Sequence, residues 1–256
     1  MPAEGNLDYA LARVHAHYGR RLNDDDWQRL EVSRDLGQYL DAVRASALAG
    51  WVVSVDLSSD AHAIERALRT EWRQYVQGVA RWHPGEWQLW LGWWVWLPIL
   101  SLLAQLVRPE PAPDWMLADP VCGPIAPGGP AERSAALRAS ALAPLEPAIL
   151  GRVPMAAAWR AHWQVLTPPA DAHTLRLLGL LLRAIDAHAA GLLEDGPGAI
   201  VLRGELTDRL SRLFRAAAGT VVASACHLAV LALDLERLRG GLVCRRVLAA
   251  HPRGAA

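Results

Sequence analysis

Residues 87–107, WQLWLGWWVWLPILSLLAQLV, run for 21 positions without a formal charge. So long an apolar run has to leave water, for a protein core or for a bilayer. Trp87, Trp90, Trp93, Trp94 and Trp96 fill its first half, whereas the Trp of a membrane span gather in narrow belts at its ends. Pro98 falls near the middle, and Gln88, Ser101 and Gln105 would each need a polar partner in lipid. A second charge-free run, 216–233, is mostly Ala and Val and contains Ser224, Cys226 and His227. The two runs predict central helices buried on all sides. The alternative is a small integral membrane protein with spans near 87–107 and 216–233. Arg81 and Arg108 flank the first run about equally, so the distribution of cations sets no orientation.

Composition narrows the function classes. The 256 residues carry 26 Lys+Arg against 26 Asp+Glu, and all the cations are arginine. Zero net charge argues against a bulk nucleic-acid binder. An apolar share of 52% argues against a disordered chain. Cys122, Cys226 and Cys244 are too few and too scattered for a disulfide framework or a four-ligand zinc site. The opening Met1-Pro2-Ala3-Glu4 has neither a basic start nor an apolar run, which predicts a chain kept in the cytoplasm.

The dominant period is helical. Leu7, Leu11, Val14, Tyr18 and Leu22 form one stripe behind Asn6 as N-cap. Asn23-Asp24-Asp25-Asp26 opens a second helix carrying Trp27 and Leu30. A metal could use such a run, but carboxylates at a helix start more often cap amides and meet the dipole. Ser33 is placed to cap a third helix containing Leu36, Tyr39, Leu40 and Val43. After Ser58-Ser59-Asp60 comes the clearest stripe: Ile64, Leu68, Trp72, Tyr75, Val79 and Trp82, closed by His83-Pro84-Gly85. Only 51–57, WVVSVDL, looks strand-like, too little for a sheet.

From 108 to 131 the chain is rich in Pro and Gly and reads as a linker or exposed loop, with Trp115 and Met116 placed to dock on a core. Helical pattern resumes over 132–143. Met155, Trp159, His162 or Trp163, and Leu166 follow, then Thr167-Pro168 opening a helix with Leu175, Leu178, Leu182 and Ile185. Gly196-Pro197-Gly198 breaks the chain. The pattern from Glu205 runs to about Arg239, bends near Gly219 and is interrupted by Gly240-Gly241. The expectation is an all-α bundle of two or three packed lobes: a lobe at 1–107, a linker at 108–131 and a lobe at 132–256.

Chemistry is thinly signalled. There is no phosphate-cradling Gly loop, no Gly-x-Ser-x-Gly turn and no His-Glu-x-x-His. His15 and His17 point to different helix faces, and His62 with Glu65 reads as a solvated pair. An enzyme using His15, His17 or His62 is the weakest reading. Cys226 and His227 read as core residues, and Cys122 as a loop thiol without an activating neighbour. Asp186 with His188, and Glu194 with Asp195, carry no ligand pattern. No catalytic, cofactor or metal residue is assigned.

Two stretches resemble a known family. The first is Tyr9-Ala10-Leu11-Ala12-Arg13-Val14-His15-Ala16, followed by Leu22, Trp27, Leu30, Leu36, Leu40 and Val43. The second is Asp234-Leu235-Glu236-Arg237-Leu238-Arg239. They are similar to the opening Tyr-x-x-Ala-Arg-Val-Arg-Ala helix and the closing Glu-x-x-Asn-Leu-Arg segment of the C-subunit family of V-type and A-type ATPases, whose eukaryotic members go by the letter d. His15 stands where the family has Arg, Asp234 where it has Glu and Arg237 where it has Asn. The Trp-rich block is no part of the family pattern, and the chain is short for the family's three lobes. The resemblance implies an all-helical, non-catalytic rotor adaptor in ion and proton transport. Its partners would be the membrane proteolipid ring and the central stalk, with no nucleic acid. It would be held peripherally at the inner face of the cell membrane. Tyr9, Arg13, Arg237 and Arg239 would then be interface or structural residues. A helical scaffold or assembly protein is the remaining alternative.

Overall fold

The computed structural model describes residues 6–107, 110–191 and 198–250. The chain is all-α, with no strand among the described residues. It divides into two compact units: Met1–Leu91 with Pro168–Ala256, and Gly92–Thr167. The first is discontinuous, closed by its last helix returning to its first. The expected division at 1–107, 108–131 and 132–256 does not follow these units, because local composition marks loops and not the long-range packing that defines a unit.

Unit 1 contains α1 (Leu7–Tyr18), α2 (Asp24–Val32), α3 (Leu36–Arg44), α4 (Ala61–Trp82) and most of α5 (Gly85–Gly92). After the return come α11 (Ala172–Gly191), α12 (Ala199–Ala216) and α13 (Val221–Ala250). Caps fix the starts. Asn6 accepts from the Asp8 amide, Asn23 and Asp26 form a reciprocal capping box, and Asp60 accepts from the Ala63 amide. The acidic run 24–26 is therefore a helix start. Asp35, and not Ser33, caps α3, and Asp171, beyond Thr167-Pro168, caps α11. The α4 stripe is buried as its spacing predicts through Ile64, Leu68, Trp72 and Val79, with Tyr75 and Trp82 half-buried.

Segment 51–57 is not a strand. With no neighbouring strand to complete a ladder among the described residues, its backbone closes short turns, Trp51 to Leu48, Val52 to Ala49 and Val55 to Val52. On α11 the buried face is Thr174, Leu177, Leu178 and Leu181, while Leu175 is exposed. Leucines surround that helix, so the period alone does not choose a face.

Helix α13 organises the unit, packing against α1, α3, α4, α11 and α12. Its first half, Val221 to Leu231, is buried throughout. It begins after a turn that contains Gly219, so 216–233 is not one continuous helix. It runs unbroken through Gly240-Gly241, where an interruption is expected from sequence. Gly241 is a contact point: a Cβ there would collide with the Tyr39 hydroxyl. Tyr39 is fully buried, and the Arg245 guanidinium lies 3.9 Å over its ring.

Unit 2 carries a 3-10 segment (Trp93–Ile99), α6 (Leu100–Gln105), α7 (Asp114–Leu117), α8 (Pro130–Arg138), α9 (Glu146–Ile149) and α10 (Met155–Val165). The run Gly85–Gln105 is long and apolar enough to cross a membrane, but it is not one straight α-helix. It passes from α5 through the 3-10 segment, which holds Pro98, into α6. Trp94 meets Trp159 and Trp163 edge-on, each at 5.5 Å, and the Trp93 indole donates to the Trp159 carbonyl at 3.0 Å. These rings form the centre of a small core.

The described part of the Pro-rich stretch is mostly exposed, as a loop, but it docks on that core through a few side chains. Met116, Cys122, Ile125 and Ala126 are buried. Arg133 is only 4% exposed and donates to the carbonyls of Ala126 and Leu106, at 3.0 and 2.9 Å. A buried guanidinium thus satisfies loop carbonyls that no helix supplies with donors.

Two adjacent glycines give a paired test. Gly241→Ala is expected to destabilise the protein by roughly 1–3 kcal/mol through overpacking against Tyr39. Gly240→Ala, which meets open space, is expected to stabilise it by up to about 1 kcal/mol. Urea denaturation of both variants checks the sign of each shift.

Candidate functional site

The polar groups of unit 1 gather where α1, α4, α12 and α13 meet. Tyr9 and Arg13 lie one turn apart on α1, and the Arg13 guanidinium donates to the Tyr9 hydroxyl at 2.6 Å. The same guanidinium lies 4.4 Å over the Trp82 ring. Trp82 stacks on His17 at 5.6 Å, and His17 meets the edge of Tyr75 at 5.6 Å. The Tyr75 hydroxyl and His227 Nε2 share a 2.6 Å hydrogen bond. A continuous row of rings therefore leads from exposed Tyr9 to His227, which is 1% exposed.

His15 and His17 do take different faces. His15 tilts against Phe214 at 4.7 Å, and its Nε2 lies 3.3 Å from the Ala218 carbonyl. His17 turns to α4. His62 is not part of this group, because it lies thirteen positions of helix before Tyr75, about 20 Å of rise.

Burial sets the electrostatics. His227 is pushed down to about 3, by desolvation first and then by the charges of His17, Arg21 and His15. His17 is lowered by burial, then by Arg13 and Arg20. Burial raises the Tyr75 hydroxyl above its ordinary value. The Nδ1 of His227 has no hydrogen-bond partner among the described residues, a cost of about 1–3 kcal/mol. A neutral imidazole against an un-ionised phenol holds its protons near neutrality.

A second pair lies deeper. His83 Nδ1 donates to the Val79 carbonyl at 2.8 Å, which leaves Nε2 to accept from the Ser224 hydroxyl at 2.8 Å. Both residues are fully buried. The pairing resembles a nucleophile and its base, but it is sealed from substrate and joins the end of α4 to α13. The sequence hint was a lone Ser224 in an Ala-rich run, which needs a partner when buried.

Three arginine contacts close the unit. Arg21 grips Asp234 with two bonds, 2.7 and 2.9 Å, and both side chains are largely buried. Burial raises the Asp234 carboxyl against the pull of Arg21. Arg237 grips Glu31 at 2.6 and 2.8 Å and lies 4.7 Å over Trp27, and it holds the Glu31 carboxyl below its ordinary value. Arg239 donates to Glu65 at 2.8 Å. Arg237 and Arg239 therefore tie α13 to α2 and α4, whereas Tyr9 and Arg13 stay at the surface.

The other sequence candidates are dispersed. Cys122 and Cys226 are buried, and burial pushes the Cys226 thiol up to about 12, so neither is a ready nucleophile. Asp186 and His188 lie on α11, away from the cluster, and Glu194 and Asp195 lie outside the described residues. Among the described residues, no three His, Cys, Asp or Glu side chains gather as metal ligands do. Compared with protein families, curated proteins and solved structures, the chain has no match.

The lowered histidines make stability depend on pH. Above about 6.5 the ring of His227 is neutral in both the folded and unfolded chain. Below it the unfolded chain takes up protons that the folded ring refuses until about 3. Unfolding free energy should therefore fall by up to about 1.4 kcal/mol per pH unit for His227 alone as pH drops from 6 towards 4. His227→Gln should make that fall shallower, as read from urea titrations at each pH. An unchanged slope would contradict the assignment.

Proposed function

We propose that the chain is a non-catalytic rotor adaptor, of the kind that the C-subunit family provides in V-type and A-type ATPases. It would couple the central stalk to the membrane proteolipid ring in ion transport. It would sit peripherally at the inner face of the cell membrane, attached through those partners, and carry no reaction of its own. The observation that supports this reading is where the two resembling segments lie. The opening stretch, α1 to α3, and the closing stretch within α13 share one unit. They are joined by Arg21–Asp234 and Arg237–Glu31. Asp234 and Arg237 are positions where the closing segment departs from the family pattern, so the support lies in the two segments sharing one unit and not in these bonds. On this reading Arg237 and Arg239 are structural, and Tyr9 and Arg13 are the surface residues that would meet a partner.

A second reading, an integral membrane protein, has one observation in its favour: the length and apolarity of Gly85–Gln105. The 3-10 segment within it and the core made by Trp94, Trp159 and Trp163 favour the adaptor.

Purification of the tagged chain from its own host in mild detergent, followed by mass spectrometry, separates the two. The adaptor reading expects proteins of the proteolipid ring and central stalk to co-purify, and Arg13→Ala to weaken their recovery while helicity is kept. Recovery of the chain alone, from carbonate-washed membranes and only with detergent, would contradict it.

A further inference from the structure

Helices α11 and α12 leave an open groove of about 440 Å³ between them. Arg183 on α11 and Arg209 and Arg212 on α12 rim it, over a floor that includes Leu180, Ala184 and Leu213. No acidic side chain lines it. Arg209 reaches Glu205 at 3.4 Å. Arg183 and Arg212 take no ion pair or hydrogen bond among the described residues. Along α11 and α12, six arginines face three acids, although the whole chain is balanced at 26 and 26. Counted from Asp171 to Ala216, with Glu194 and Asp195, the segment is balanced at six arginines and six acids, so the positive charge is local to the groove lining, at Arg183, Arg209 and Arg212.

We propose that this groove is the docking site for an acidic amphipathic helix of a partner protein. The argument is one of charge and shape. Unpaired guanidiniums facing a shared groove repel one another, and carboxylates relieve that repulsion with bidentate bonds. A small inorganic anion would leave the apolar floor in water, and Leu180 there is 42% exposed. A shallow groove between two helices takes a third helix laid along it. On each wall the lining residues repeat at helical spacing, Leu180, Arg183 and Ala184 against Arg209, Arg212, Leu213 and Ala216. A helix with leucines at i, i+3 or i+4, and i+7, flanked by glutamates, matches both stripes. This inference does not rest on the rotor-adaptor reading and would hold for a different assembly.

The test uses the full chain and a fluorescent synthetic helix of about five turns, built of Leu, Glu and Ala in that pattern. Fluorescence anisotropy at low salt should show saturable binding. The double variant Arg183→Glu with Arg212→Glu should bind at least about tenfold more weakly. It should regain binding to a version of the peptide with arginine in place of glutamate. Both arginines lack internal partners among the described residues, so circular dichroism of the variant should match the parent. The proposal is overturned by no binding to the parent chain. It is also overturned by equal binding of a scrambled peptide, or by an unchanged affinity in the double variant. Displacement of the peptide by inorganic phosphate in the millimolar range would show a simple anion site instead. Arg183-dependent binding of phosphatidylglycerol vesicles without peptide binding would show a lipid site, and either result refutes the proposal.

Discussion

Everything in the larger unit depends on how α13 is held. A helix of 30 residues is buried along its first half and must also carry charge. Asp234 is the critical point: its side chain is 11% exposed, and a lone carboxylate is costly there without Arg21. Two bonds from one planar fork meet that need. The requirement also fixes topology, since Arg21 follows α1 and Asp234 lies in the last helix. Burying α13 on this pair brings the turn after α1 against the last described helix. The discontinuous unit is the consequence.

Around that pair the other contacts divide the work. Arg237 and Arg239 secure the more exposed half of α13 to Glu31 and Glu65. These are partly solvated pairs, each contributing about 1 kcal/mol or less, so they set register more than stability. The Gly241 notch admits Tyr39, and the buried bonds Ser224–His83 and Tyr75–His227 join α13 to α4. The buried polar side chains of α13 thus face separate partners: Ser224 meets His83 at the end of α4, His227 meets Tyr75 within α4, and Asp234 meets Arg21 after α1. That arrangement specifies position where an unbroken apolar face of Ala, Val and Leu would allow sliding.

Local signals in the sequence were legible where the physics is local. Asn6, Asn23 and Asp60 are caps because their side chains reach amides two or three residues away. The α4 stripe is readable because one face is apolar and the other charged. Non-local choices were hidden. Gly240-Gly241 reads as a breaker by propensity, yet one of the pair is there to receive Tyr39 from 202 residues earlier. Segment 51–57 has β-branched residues but no strand to pair with among the described residues. The Pro-rich stretch docks Met116, Cys122, Ile125 and Ala126 on a core it does not announce, with Arg133 answering the Ala126 carbonyl. In the cluster, Tyr9 and Arg13 were readable as neighbours on one helix, while Ser224–His83 and Tyr75–His227 join residues 141 and 152 positions apart. No spacing rule reaches that far.

The most direct test of this account is hydrogen exchange on the intact chain, followed by mass spectrometry, in the parent and in Asp234→Ala. If α13 is the element on which the unit closes, the slow amides of α1, α4 and the first half of α13 share one opening free energy. All three then lose protection together in the variant, by about 3–5 kcal/mol for loss of one partner of a buried pair. Loss of protection confined to α13, with α1 and α4 unchanged, would contradict it.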